Sequence, residues 1–257
     1  MIELIGINKK FNTGTVNETT LFTDFDFEVA AGEFVSVVGS NGSGKTTVLN
    51  LIAGTILPDS GNILLDGKDI TKLKEYVRAR RIGRVFQDPS KGVADQMTIA
   101  ENMSLAENKG RLFGLTKGLS KDRVSYYQDL VKPIGLGLED KMYVKMGALS
   151  GGQRQAVSLI MATMTPVDIL ILDEHTAALD PKTADIIMEL TDQIVREKKL
   201  TALMVTHNLR YAVRYGNRMV MMHNGKCVLD VKGEEKKNTT VSDVLDLFNE
   251  ISIECGN

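Results

Sequence analysis

The chain has 257 residues, 43% of them hydrophobic and 25% charged, with a formal net charge of −2. This is an ordinary globular composition, long enough for one large domain or a core with a subdomain, and its near-neutral balance gives no sign of a nucleic-acid surface. No apolar run approaches the ~18–20 residues of a membrane span, Met1 to Lys10 lack a signal-peptide pattern, and Cys227 and Cys255 stand far apart without metal or redox spacing, so the expectation is a cytosolic chain with unpaired thiols that can still dock on a membrane partner.

Ile2, Leu4, Ile5 and Ile7 open a first strand, which ends at Lys9-Lys10-Phe11. A polar link, Asn12 to Thr20, leads to Phe25, Phe27 and Val29, whose alternation predicts a second strand. Ala31-Gly32 turns into the Val-rich run Glu33 to Val38, which leads straight into Gly39-Ser40-Asn41-Gly42-Ser43-Gly44-Lys45-Thr46. That octet is G-x-x-x-x-G-K-[ST], a Walker A loop, and Val48, Leu49, Leu51 and Ile52 follow it at helical spacing. Strand, glycine loop and helix together make a phosphate cradle. Glycines let successive N–H groups converge on phosphate oxygens, and the helix N-terminus adds partial positive charge. Lys45 is expected to reach the β- and γ-phosphates, and the Thr46 hydroxyl to ligate Mg²⁺. The chain is therefore read as binding a nucleoside triphosphate.

Pro58 to Gly61 form a turn, Asn62 to Asp66 with Gly67 predict a short strand and bend, and Tyr76 to Arg81 form a basic segment before Ile82-Gly83-Arg84-Val85-Phe86-Gln87. The arginines there are read as a solvated helix face that can also meet phosphates. From Asp88 to about Leu149 strand signals vanish and helical patterns take over, such as Ile99 to Ala106 and Val124 to Val131, which predicts an inserted all-helical subdomain. A helix over Gln155 to Met164 follows. Next comes the buried run Ile169-Leu170-Ile171-Leu172, closed by Asp173-Glu174. This apolar strand ending in two acids is a Walker B pattern, with Asp173 expected to hold Mg²⁺ or its water and Glu174 to polarise the attacking water. Asp180 and Pro181 predict the N-cap and first position of another helix, with Ile186, Ile187, Leu190 and Ile194 on its apolar face. Leu203-Met204-Val205 is a strand, Met219 to Val231 a hairpin turning at Asn224-Gly225, and Val241 to Phe248 a last helix. The alternation of strands and helices implies an α/β fold with a mostly parallel sheet and its ligand loop at a strand's carboxyl end.

Leu149-Ser150-Gly151-Gly152-Gln153, ahead of a helix, resembles the signature motif of ABC-type ATPases. The resemblance spans roughly residues 2 to 232. It implies a P-loop NTPase with a RecA-like, mostly parallel sheet core, an antiparallel β subdomain and an inserted helical subdomain. The implied boundaries are 1–88 with 155–232 for the ATP-binding core, 89–154 for the helical subdomain, and 233–257 for a short C-terminal tail with a helix, too short for a large regulatory domain. In such proteins Ser150, Gly151, Gly152 and Gln153 grip the γ-phosphate of ATP bound to the opposite subunit. Gln87 matches the Q-loop, a hinge that reports γ-phosphate and metal. Ala177-Ala178-Leu179-Asp180 is similar to the D-loop, and His207 to the switch histidine that bonds the γ-phosphate and helps position the water. Phe11 takes the place of the adenine-stacking aromatic, and Thr47 joins Gly39 to Thr46 in cradling the nucleotide. His175 departs from the proline that many relatives carry after the catalytic glutamate; an adjusted loop with no ligand lost is expected. The run Asp173 to Asp180 looks like a subgroup beside aromatic amino-acid-type uptake systems.

The resemblance therefore implies the ATP-binding and ATP-hydrolysing subunit of an importer. Its homodimer would sandwich two ATP with Mg²⁺ and be held at the cytoplasmic face of the membrane by a separate permease, with an extracytoplasmic substrate-binding protein in the same system and no nucleic acid. The groove beside Gln87, lined by Asp95 to Leu105, is where the family receives a permease. The alternatives are an exporter or lipid-extracting cassette, whose cytosolic part can look the same, and a soluble ABC ATPase acting on ribosomes or DNA, which usually carries tandem cassettes or a long coiled-coil insertion. A third, a cassette that binds without hydrolysing, is opposed by intact Lys45, Asp173, Glu174 and His207.

Overall fold

A computed structural model describes residues 1–111 and 118–254. The chain forms two compact units, Met1–Arg78 with Lys199–Asn257, and Ala79–Lys198. The second unit is larger than the helical stretch 89–154 expected from sequence, because two strands and a long helix go with it.

In the first unit, β1 (Ile2–Phe11) pairs antiparallel with β2 (Thr19–Val29), with Ile2 opposite Val29 and Leu4 opposite Phe27. The alternating apolar residues of both strands point inward, and the Phe22 and Phe25 rings stack at 4.4 Å between centroids. The second strand starts at Thr19, at the end of the stretch expected to be a polar link. β3 (Phe34–Gly39) is buried along its whole length, as a central strand's continuous apolar run requires, and gives way to α1 (Lys45–Ala53). β4 (Ser60–Leu65) pairs antiparallel with β1 and turns through Asp66-Gly67 into the two-residue β5 (Lys68–Asp69). The antiparallel sheet thus runs β2-β1-β4-β5.

The short α2 (Glu75–Arg78) corrects the reading of the arginines. Arg78 is no part of a solvated face: it is 2% exposed. Its guanidinium donates to the carbonyls of Leu51 (2.7 Å) and Ile52 (3.0 Å) in the last turn of α1, and to those of Thr71 (2.8 Å) and Leu73 (3.0 Å). A cation at a helix C-terminus satisfies the orphan carbonyls there and complements the helix dipole. Arg78→Met is expected to lower unfolding free energy by about 3 kcal/mol, since it strands several buried acceptors. Urea denaturation checks this, and a loss below about 1 kcal/mol would remove Arg78 from the account.

In the second unit, β6 (Ile82–Val85) pairs parallel with β7 (Ile169–Asp173), with Arg84 opposite Ile171. Between them lie α3 (Ile99–Glu107), opened by a Thr98/Glu101 capping box, α4 (Lys121–Val131), capped by Ser120, and α5 (Gly151–Thr163). Apart from a single bridge between Thr98 and Lys145, the described residues of this stretch hold only helices and turns, as the fading strand signals imply. α5 begins four residues earlier than its periodicity suggests, because Ser150 caps it and two glycines form its first turn. α6 (Pro181–Glu197) starts where Asp180 and Pro181 predict.

Back in the first unit, β8 (Thr201–Val205) and β9 (Arg218–His223) flank β3, both parallel to it, and α7 (Leu209–Arg214) joins them. β10 (Lys226–Lys232) completes a hairpin with β9, and Asn224 and Gly225, at φ 45° and 73°, supply the positive φ pair of a type I′ turn. α8 (Glu234–Asn238) and α9 (Val241–Glu254) close the chain. Val244 is buried against Met219, Met221 and Val231 of this hairpin. Cys227 is an exposed free thiol, whereas Cys255 lies outside the described residues. No helix among the described residues is long and apolar enough to cross a membrane.

Candidate phosphate-binding and hydrolytic site

The loop after β3 is built to hold an anion. Gly44 is the N-cap of α1 at φ 106°, and a Cβ there would lie 2.7 Å from the Phe22 ring, so only glycine lets the chain enter the helix over this aromatic. No side chain caps α1, which leaves its first N–H groups directed at the loop. Ser43 Oγ is buried without a hydrogen-bond partner. A buried, unsatisfied hydroxyl beside open helix donors fits a phosphate oxygen. Lys45 is 5% exposed and donates from Nζ to the carbonyls of Gly39 (2.8 Å) and Ser40 (2.7 Å), which folds its ammonium back over the loop. Asn41, Gly42 and Thr46 are exposed, and Thr47 is half-buried in the first turn.

The register of the parallel strands brings other residues to this edge. Val205 pairs with Val37, and Thr206 N donates to Val37 O at 3.1 Å, so the exposed His207 stands at the same carboxyl edge as the loop. On the other side Gly39 pairs with Met222, and His223 Nδ1 lies 3.4 Å from Ser40 Oγ. His223 went unnoticed in sequence because only the β9 register brings it to the loop. Phe11, half-exposed, ends β1 with Lys9 Nζ 5.6 Å from its ring centroid.

In the second unit β7 delivers its two acids differently. Asp173 is 9% exposed, and burial pushes its carboxyl up while Arg84 pulls it back. Arg84 Nη2 lies 3.3 Å from Asp173 Oδ2, so a second arginine of the supposed solvated face belongs to the acid instead. Glu174 is half-buried with a left-handed backbone at φ 46°, uncommon for a residue with a side chain. Its Oε2 accepts from Gln87 Nε2 at 3.1 Å, so the fold joins the predicted Q-loop glutamine to the predicted general base. His175 is buried, and burial lowers its pKa to about 4, which keeps it neutral. Gln155, fully buried, donates to Phe86 O at 3.2 Å and ties α5 to the segment carrying Gln87.

The signature residues form a helix start. Ser150 Oγ accepts from Gln153 N (3.2 Å), and Gln153 Oε1 accepts from Ser150 N (3.3 Å), a reciprocal capping box. Gln153 Nε2 donates to Leu136 O (3.0 Å). Ser150 and Gly151 face solvent, whereas Gly152 is buried. Asp180 accepts from Thr183 N (3.1 Å), and these bonds from Thr183 hold its carboxyl below the usual carboxylate range. As placed here, Asp180 caps α6.

The family profile described as "ABC transporter" matches residues 22–177. The chain is 48% identical over 248 residues to the tyrosine transport ATP-binding protein of Clostridioides difficile, covering 96% of this chain and 98% of that protein. It is 31% identical to a phosphonates import ATP-binding protein of Lactococcus lactis, over 95% of this chain and 98% of that one. Among solved structures, the dimeric post-hydrolysis state of an ATP-binding cassette bound to ADP and Pi superposes with a TM-score of 0.76 at 30% identity, over 90% of this chain and 98% of that one. The α/β architecture is that of these ATP-binding cassettes, and the chain is an ATP-binding, ATP-hydrolysing member of the ABC transporter family.

Proposed function

We propose that this chain powers the uptake of a small polar solute, of aromatic amino-acid type, through a separate membrane permease. One observation supports its ATPase chemistry above all: an uncapped helix start beside the buried, unsatisfied Ser43 hydroxyl and the folded-back Lys45. The C. difficile relative, described as a tyrosine transport protein, supports the solute class. The permease would hold the chain at the cytoplasmic face of the membrane, with an extracytoplasmic substrate-binding protein delivering the solute.

Each motif takes one role. Gly39 to Thr47 bind the phosphates, with Lys45 as the cation, and Phe11 stacks on adenine. Thr46, Gln87 and Asp173 carry oxygen donors of the kind Mg²⁺ selects and would be its ligands. The ion would neutralise phosphate charge. Glu174 takes a proton from the attacking water, and His207 bonds the γ-phosphate. Ser150, Gly151, Gly152 and Gln153, with Asp180 nearby in the motif order, serve the ATP of a second copy of this chain.

Lys45→Ala is expected to weaken ATP binding roughly 10- to 100-fold, the worth of one charge-assisted contact set. Fluorescent-nucleotide titration measures it. Unchanged affinity would remove Lys45 from the phosphate site.

A further inference from the structure

The loop between β7 and α6 carries an interaction that none of the roles above uses. His175, 2% exposed, reaches across to α6, where its Nε2 lies 3.1 Å from the Oγ1 of Thr191, itself fully buried. The Thr191 hydroxyl donates its single proton to Ile187 O at 2.7 Å. Its oxygen can therefore only accept from His175, which fixes the imidazole as the Nε2–H tautomer. The residue just before His175 is Glu174, held at φ 46°. A side-chain-bearing residue in that region is strained and persists only where its surroundings over-determine it. Here the surroundings are explicit. Asp173, on one side, ends a buried strand and is bonded to Arg84. His175, on the other side, is pinned to the middle of α6. The helix is also fixed to the far end of the same loop, because Asp180 caps its first turn. The exposed residues Ala177 and Ala178 are thus bracketed by two anchors on one helix.

We propose that His175, acting through Thr191, is a positioning residue for hydrolysis: the buried bond holds Glu174 in its left-handed conformation and so aims its carboxylate. The proposal rests on Glu174 being the general base. A side-chain tether here does what a fixed backbone φ would do at this position, and a carboxylate misplaced by about 1 Å costs on the order of 10²-fold in rate.

The test uses the full chain with Mg-ATP and the variants Thr191→Val, which keeps the side-chain shape and removes the acceptor, and Thr191→Ser, which restores it. Rates are taken from single turnovers normalised to nucleotide-bound chain, so a partly unfolded sample does not mimic the effect. Thr191→Val is expected to lower kcat roughly 10-fold or more with KM for ATP within about twofold of the parent. Thr191→Ser should recover most of that rate, and Thr191→Val added to Glu174→Gln should lower the residual rate no further. A parental kcat in Thr191→Val, an equal defect in Thr191→Ser, or a rise in KM matching the fall in kcat would overturn the proposal. If Glu174→Gln itself turned over at the parental rate, the general-base assignment would fall first. A silent Glu174→Gln alongside fully active Thr191→Val would refute the His175 proposal alone.

Discussion

Glu174→Gln is expected to lower ATP turnover roughly 10²- to 10³-fold while leaving ATP affinity near that of the parent, the size of effect that follows loss of a general base. The glutamine keeps the shape of the side chain and its bond to Gln87, so the loop after β7 should keep its conformation. What disappears is the carboxylate proposed to take a proton from water. Because binding persists and cleavage does not, the variant should accumulate as an ATP-loaded dimer, visible by light scattering or size exclusion with ATP and lost on adding ADP. Parental turnover in Glu174→Gln would mean that the proton goes elsewhere, and the bond between Gln87 and Glu174 would then be structural.

The second large effect concerns Ser150. Ser150→Arg puts a long cation at the exposed start of α5, the proposed seat of the γ-phosphate of ATP bound to a second copy. ATPase activity should fall to background. The cost to the fold is much smaller, because loss of an N-cap is worth only about 1 kcal/mol. A single chain should therefore still bind ATP through Lys45 and its loop with unchanged affinity. This split between intact binding and absent turnover separates a site shared between two copies from one completed within a single copy. Parental turnover would sink the sandwich.

The parts of this architecture that were legible in the sequence share one property: their determinants are local. The octet Gly39 to Thr46 sits between an unbroken Val-rich run and a helical repeat, so strand, loop and helix are specified within about twenty residues. Asp180-Pro181 carries its helix start in the two or three residues that follow, and the structure uses Asp180 as the cap. The Asn224-Gly225 turn is likewise readable, since few residue pairs accept two positive φ values. What escaped depends on distant neighbours. Arg84 lies 89 positions from Asp173, and only the parallel pairing of β6 with β7 makes them partners. Arg78 is buried because the carbonyl end of α1, more than twenty residues earlier, needs donors, and a basic run contains no sign of that need. His175 was visible only as a departure from the proline of relatives, and its bond to Thr191 requires knowing which side of α6 faces the loop. The early start of α5 escaped for another reason. Two glycines in a first turn weaken the helical pattern, and the Ser150/Gln153 capping box offsets that cost.

The most direct test of the transport motor is to recover the tagged Glu174→Gln chain from detergent-solubilised native membranes in the presence of ATP and identify the chains held with it. The expected result is a multi-span permease, retained with ATP, from a system whose cargo resembles an aromatic amino acid. Recovery of ribosomal or DNA-repair proteins alone, with no membrane-spanning partner, would contradict the transport role and leave only the ATPase chemistry standing.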